Sequence, residues 1–322
     1  MIVIEENKGF QQIMDTEDAV YLQSLIKQGA SLTNMHAFHH PSQANYYELF
    51  SGSSQGIKGD GCPKERLAAL SLGGLLNAKS NGDTKLSFAG YAENRPSEED
   101  LKLPFKKFCD KFHHGSTLFA VKHTPWLGFK DSFALTFDSS EFDKLFSDNQ
   151  DSPKADELPT VAMVIPNLIS DMHNKIPDDH AAILAGSEWL EKHLKSYVAW
   201  AQTHNSLLIV TWDEDQHHGF LWRPVATKPP KNRIPTIFVG PMVKPCYKSD
   251  KQYTHHDLLR TIEAMYSLQP IGASASASVI DDIWKTDIAA DGSFPCPPNA
   301  GAAPAKGKKD KDKHKSKPSA SN

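Results

Sequence analysis

The residues best suited to chemistry gather where an apolar run stops. In LLIVTWDEDQHHGF, residues 207 to 220, Asp213, Glu214, Asp215, His217 and His218 set three carboxylates and two imidazoles within six positions. Like charges this close repel unless a cation lies among them, although a solvated acidic loop would look the same in isolation. The pattern recurs twice. Met1 to Ile4 runs into Glu5, Glu6 and Asn7, and Thr160 to Ile165 runs into PNLISDMHN, where Asp171 and His173 stand two residues apart. Such a pair can offer an oxygen and an imidazole to one ion, or be an ordinary Asp-capped loop.

A fourth stretch supplies a nucleophile. SLTNMHAFHHPSQANYYELFSGS, residues 31 to 53, carries His36, His39 and His40, a Pro41-Ser42 turn and Asn45 before a helical start at Tyr46, Tyr47, Leu49 and Phe50. A serine at a helix N-terminus lies among free amides that favour an anion, and its hydroxyl can attack phosphorus once its proton is removed. The bland alternative is a plain capping serine. His123, between Lys122 and the Pro125-Trp126 pair, reads equally as a packed histidine or a functional one.

Positioning these groups requires buried strands. Residues 1 to 4, 86 to 93, 160 to 165, 207 to 211 and 233 to 239 are apolar without strict alternation, as in strands covered on both faces. Helical spacing marks 15 to 27, with Asp15 and Thr16 as candidate caps, 178 to 203, and 253 to 266, where Asp257 is a candidate cap. Residues 62 to 81 read as helix then turn, while 94 to 107 and 138 to 156 read as loops. Strands alternating with helices predict an α/β layered fold with a mostly parallel sheet, whose ligands bind beyond the carboxyl ends of the strands. Glu6-Asn7, Asp171/His173 and Asp213-Glu214 all follow strands directly, so one edge would gather them. That convergence favours a metal site over three unrelated acidic loops.

Composition bounds the rest. The chain has 322 residues, 39% hydrophobic and 23% charged, with a formal charge of −4. From Ala305 onward seven lysines face two aspartates, so the remainder carries about −9. The division expected is a catalytic domain over 1–298 and a disordered Lys-rich tail over 299–322. No aromatics interleave with those lysines, so nucleic acid is not an expected partner; transient contact with anionic membrane lipid is a secondary reading. Oligomeric state is left open. Four cysteines without CxxC spacing allow two disulfides or a reduced protein. No run reaches the roughly 18 apolar residues of a membrane-spanning helix. The expected location is periplasmic or secreted, with a signal peptide upstream of Met1; the alternative is cytoplasmic.

IVIEENKGF, HHPSQANYYELFSG, FAGYAENRP, VKHTPWLGF, IPNLISDMHN, IVTWDED, IFVGP and YTHHDLLRTIE, in that order, resemble the phosphoesterase family of acid phosphatases and phospholipases C, over about residues 2 to 270. The resemblance implies an alkaline-phosphatase-like three-layer α/β sandwich and hydrolysis of phosphate esters. It makes Glu6, Asn7, Asp213 and Glu214 the metal and phosphate neighbourhood and Ser42 both nucleophile and metal neighbour. Asn45 would steady a phosphoryl oxygen. Asp171, His173 and His255 would be further ligands or phosphate-binding groups, and His40 and His123 phosphoryl contacts. The usual motif is HPSxPNY, and Ala44 replaces its Pro without removing a reactive group. Doublets at His39/His40, His217/His218 and His255/His256 leave open which member faces the site.

The mechanism expected from this is in-line attack by Ser42, then hydrolysis of a phosphoserine. Asn7 and Asn45 would bind equatorial oxygens, and a cationic His255 would protonate the leaving alcohol, favouring acidic pH. The cofactor is a divalent metal ion; an oxygen-rich donor set with some imidazoles accommodates Ca, Mg, Mn, Zn or Fe. The leading function is an acid phosphatase acting on phosphomonoesters. Phospholipase C is the runner-up, and a non-catalytic metal-binding module the third reading.

Overall fold

The computed structural model describes residues 1–17, 19–81, 84–113, 117–132, 136–146, 157–173, 177–216 and 232–285. The tail from 299, His217 and His218 lie outside them. Its elements are β1 (Ile2–Glu5), α1 (Phe10–Met14), α2 (Val20–Gln28), β2 (Ala30–His36), α3 (Gln43–Ser51), α4 (Leu72–Ala78), β3 (Ser80–Asn81), β4 (Thr84–Lys85), β5 (Phe88–Ala92), α5 (Glu98–Leu101), α6 (Phe105–Phe112), β6 (Thr136–Asp138), α7 (Ser139–Lys144), β7 (Val161–Ile165), α8 (Asp179–Ala201), β8 (Leu208–Trp212), β9 (Arg233–Val239), β10 (Tyr247–Ser249), β11 (Tyr253–Thr254) and α9 (His255–Met265).

Nine strands form one sheet in the order β10-β2-β9-β8-β1-β7-β5-β6, with β11 also on β2. Pairing is parallel except at β9, which is antiparallel to both β2 and β8. Strand β1 lies at the centre, with Ile2 opposite Met163 of β7 on one side and Ile209 of β8 on the other. All residues of β1, β5, β7 and β8 are buried, which explains their unbroken apolar character. Among the helices, α2 packs with α8, and α3 with α4 and α9, while α2 and α4 also lie against strands of the sheet, as in a layered α/β fold.

Several expectations for local structure give way. Residues 94 to 107 are not simply a loop, because α5 and the start of α6 lie there, and α6 turns Phe105, Phe108, Cys109 and Phe112 inward. Helix α7 interrupts the 138-to-156 loop. Strand β2 carries Ser31, Thr33 and Asn34 among its apolar residues, so no apolar period announces it. Asp15 and Thr16 do not cap α2, which starts after Ala19 without a side-chain cap; Asp15 is the C-cap of α1 instead. Asp257 closes a capping box whose N-cap is Thr254. Helix α8 matches its pattern, with Asp178 accepting from the Ala181 amide.

A disulfide joins Cys62 to Cys109, tying the loop before α4 to α6 across 47 residues. Gly90 permits a close approach: a Cβ there would lie 2.0 Å from Trp126 Cε2. Trp126, fully buried and donating to Thr136 Oγ1 at 2.9 Å, anchors the segment that delivers His123.

Candidate active site

Parallel pairing brings the carboxyl ends of β1, β7 and β8 to one edge, and backbone bonds stitch their exits together. The Glu6 amide donates to the Asp171 carbonyl at 2.7 Å, and the Asp213 amide to the Glu5 carbonyl at 3.1 Å. Asn7 then turns with φ 46°, a conformation asparagine tolerates, and its amide donates to Asp213 Oδ1 at 3.0 Å. Strand β9 enters this edge in the opposite sense. Its Arg233 amide donates to Asp215 Oδ2 at 3.2 Å, while the preceding Asn232 joins the Asp215 amide to the His39 carbonyl.

Ser42 is the N-cap residue of α3, yet its hydroxyl makes no capping bond. It faces the acids instead, donating toward Glu6 Oε2 at 3.1 Å and Glu214 Oε1 at 3.3 Å, with Asn7 Oδ1 at 3.5 Å. Buried carboxylates surround an alcohol that is only 1% exposed.

Each carboxylate has its own support. Glu6 Oε1 accepts from the Tyr46 hydroxyl at 2.5 Å and lies 3.1 Å from His123 Nε2, whose ring stacks on Tyr46. Glu214 Oε2 pairs with His40 Nδ1 at 2.6 Å, and His40 Nε2 reaches Asp215 Oδ1 at 3.3 Å. Asp171 Oδ1 accepts from the His173 amide at 2.9 Å, while its Oδ2 lies 3.7 Å from His123 Nδ1. The His173 amide thus ties its segment to the Asp171 carboxylate.

The electrostatics follow from burial. Burial raises Glu6 well above the usual carboxylate range, with Asp213 adding to the effect; burial lifts Asp171 to about 7; burial and then Glu214 lift Asp213 to about 8. Hydrogen bonds to Asp215 and Glu214 raise His40 to about 10, so its imidazole is cationic. Burial pushes the His123 imidazole well below its ordinary range, with the Lys122 charge adding to the effect.

Two expected residues have other tasks. Asn45 Oδ1 accepts from the Phe38 and His39 amides at 3.1 and 3.0 Å, and its Nδ2 donates to the His39 carbonyl at 2.9 Å. It shapes the loop leading to Ser42 instead of facing the carboxylates. His255 is 1% exposed, its Nε2 bonds the Trp212 carbonyl at 3.0 Å, and burial lowers its pKa to about 4. The expected cationic acid is therefore a neutral ring held in the interior. In the doublets, His40 faces the site, whereas His39 and His256 both bond Glu48, at 2.9 and 2.7 Å.

The donor chemistry suits a hard divalent cation. Asp171 Oδ2 and Asp213 Oδ2 are buried without hydrogen-bond partners, and Glu6, Glu214 and Asn7 add oxygen donors beside Ser42. These side chains are drawn onto the serine hydroxyl and the histidines, and among the described residues no three His, Cys, Asp or Glu already form a metal cage.

Sequence reasoning missed Tyr46, Asp215, Asn232, and Lys122 with its partner Asp60. Tyr46 had a readable signal, since it stands four residues after Ser42 on the same helical face. Asp215, which the resemblance leaves out of the metal and phosphate neighbourhood, is the second anchor of His40.

The family model of the Phosphoesterase family matches residues 2–269. A phosphatidylinositol-3-phosphatase of Mycobacterium tuberculosis is 35% identical over 285 residues, covering 88% of this chain and 82% of that protein. An acid phosphatase of Aspergillus fumigatus is 24% identical, covering 92% of this chain and 65% of that protein. Among solved structures, a putative sulfatase of Bacteroides thetaiotaomicron aligns at TM-score 0.53 and 11% identity, covering 87% of this chain and 73% of that one. A protein of the alkaline phosphatase superfamily from Vibrio parahaemolyticus aligns at 0.51 and 14%, covering 86% and 69%. These two likenesses concern the fold.

Proposed function

This chain belongs to the phosphoesterase family and is a phosphoric ester hydrolase; from that premise we propose a metal-dependent phosphomonoesterase of the acid phosphatase type with Ser42 as its nucleophile. One observation carries the reading: a serine at a helix N-terminus makes no capping bond and turns its hydroxyl to Glu6 and Glu214.

Ser42 Oγ would form a bond to phosphorus as the ester's alkoxy group leaves opposite it, giving a phosphoserine that water then cleaves. Glu6 Oε2 and Glu214 Oε1 are the acceptors in reach of the hydroxyl proton. His40, held by Glu214 and Asp215, brings positive charge to the same edge. Glu6, Asn7, Asp213, Glu214 and Asp171 would hold a divalent cation, which when bound lowers the hydroxyl pKa and neutralises phosphoryl charge. The matched relatives are named as phosphatases, which favours a monoester, a phosphoinositide among the candidates, over the diester of a phospholipase C. The Cys62–Cys109 disulfide supports an exported location.

Replacing Ser42 by Ala tests the reading. Hydrolysis of p-nitrophenyl phosphate should fall by about 10³-fold or more while cooperative melting is retained. Acid-quenched wild-type enzyme should carry phosphate on Ser42. Turnover that survives in the variant would overturn the assignment. Dialysis against a chelator should remove activity, and a panel of divalent ions should restore it.

A further inference from the structure

The edge that an ester would approach to reach Ser42 is crowded with carboxyl groups, Glu6, Asp171, Asp213 and Glu214, each 2% exposed or less. The cations at this edge are unequally placed. Lys8 is fully buried against Asp179 and the Asn7 carbonyl, and His40 is held between Glu214 and Asp215. Lys122 differs. It precedes His123, the ring stacked on Tyr46 beside Glu6, and its side chain remains 18% exposed. Its Nζ lies 2.7 Å from Asp60 Oδ2, and Asp60 Oδ1 accepts from the Gln43 amide at 3.1 Å. Gln43 follows Ser42 in the chain. The ammonium, the carboxylate and the helix amide thus form a short relay ending one residue from the nucleophile.

We propose that Lys122 contacts the substrate phosphoryl group at the mouth of the site, and that Asp60 positions it there. The inference rests on the reading of Ser42 as nucleophile. Burial alone would lower the Lys122 pKa, but Glu6 and Asp60 outweigh burial and raise it, so the charge is present over the working range. Lysine serves as a compact point charge for phosphate, and the Lys122 side chain is partly exposed. Asp60 fixes the flexible stem over the start of α3, where the positive end of the helix dipole favours an anion.

The alternative is a structural staple, with the pair merely fastening the Asp60 loop to the His123 segment. Kinetics on p-nitrophenyl phosphate and inhibition by inorganic phosphate separate the two in the full chain. Lys122→Met should raise KM and the phosphate inhibition constant by about tenfold or more, as loss of a charge-assisted contact does. Lys122→Arg should recover most of that loss. Asp60→Asn keeps an acceptor for the Gln43 amide but frees the ammonium, and should raise KM by a smaller factor. Lys122→Met or Lys122→Gln with lowered melting temperature and an unchanged phosphate inhibition constant would make the pair a staple and overturn the proposal. Ser42→Ala distinguishes the two levels. If it stays active, the nucleophile reading fails; if it is inactive while Lys122→Met binds phosphate like wild type, only the Lys122 inference fails.

Discussion

The Tyr46 hydroxyl donates to Glu6 Oε1 at 2.5 Å, on the carboxylate whose other oxygen receives the Ser42 hydroxyl at 3.1 Å. One helix therefore sends two donors, a turn apart, to the two oxygens of one buried acid. This relationship fixes where Glu6 can point, and the orientation of Ser42 depends on it.

Replacing Tyr46 by Phe should disturb that orientation. The ring can still stack on His123, but Glu6 loses the stronger of its donors. Stability should fall by about 1–3 kcal/mol, the cost of leaving a buried acceptor short of a partner. Turnover should drop by about tenfold, with KM changing less, because the fault lies in positioning the nucleophile. Urea unfolding and steady-state kinetics measure both effects, and wild-type values in each would detach Tyr46 from the site.

His255 offers the opposite expectation. Its Nε2 bonds the Trp212 carbonyl inside the protein, so the residue steadies the end of β8 and does not reach the leaving alcohol. Replacement by Gln should lower the melting temperature while the acid limb of the pH-rate profile keeps its shape. Loss of that limb alone, with stability intact, would restore His255 as the general acid.

How much of this was legible beforehand depends on the kind of signal. Fully buried strands announce themselves by unbroken apolar runs, as in β1, β7 and β8, and the acids just beyond Ile4, Ile165 and Trp212 inherit their place from those strands. Strand β2 left no such trace, since its neighbours β9, β10 and β11 supply pairing that its own sequence does not advertise. Nothing local shows that β9 runs antiparallel, although that direction is what brings Asn232 and Arg233 to Asp215. Side-chain allegiance was harder still. Asn45 and Ser42 sit on one helical turn, yet one serves the backbone and the other the acids, a choice made by the folded loop around His39.

Away from the site, Glu263 ties α9 to the turn at Gly272–Ser276 and should make stability depend on pH. The residue is 0% exposed, and its carboxylate accepts from the Ile271 amide at 3.0 Å and the Ser274 hydroxyl at 2.7–2.8 Å. Burial raises its pKa above 4.5, and the bonds from Ser274 and Ile271 only partly offset this. A carboxyl whose folded pKa exceeds its unfolded one contributes stability that is complete below the unfolded value and is lost as pH rises through the folded value. Glu263→Gln keeps the acceptor oxygen and cannot ionise. Its unfolding free energy in urea, minus that of wild type, should therefore increase as pH is raised from about 4 toward 7, where other groups cancel in the difference. A difference that stays flat across this window, or falls, would show that Glu263 does not carry the pH dependence assigned to it.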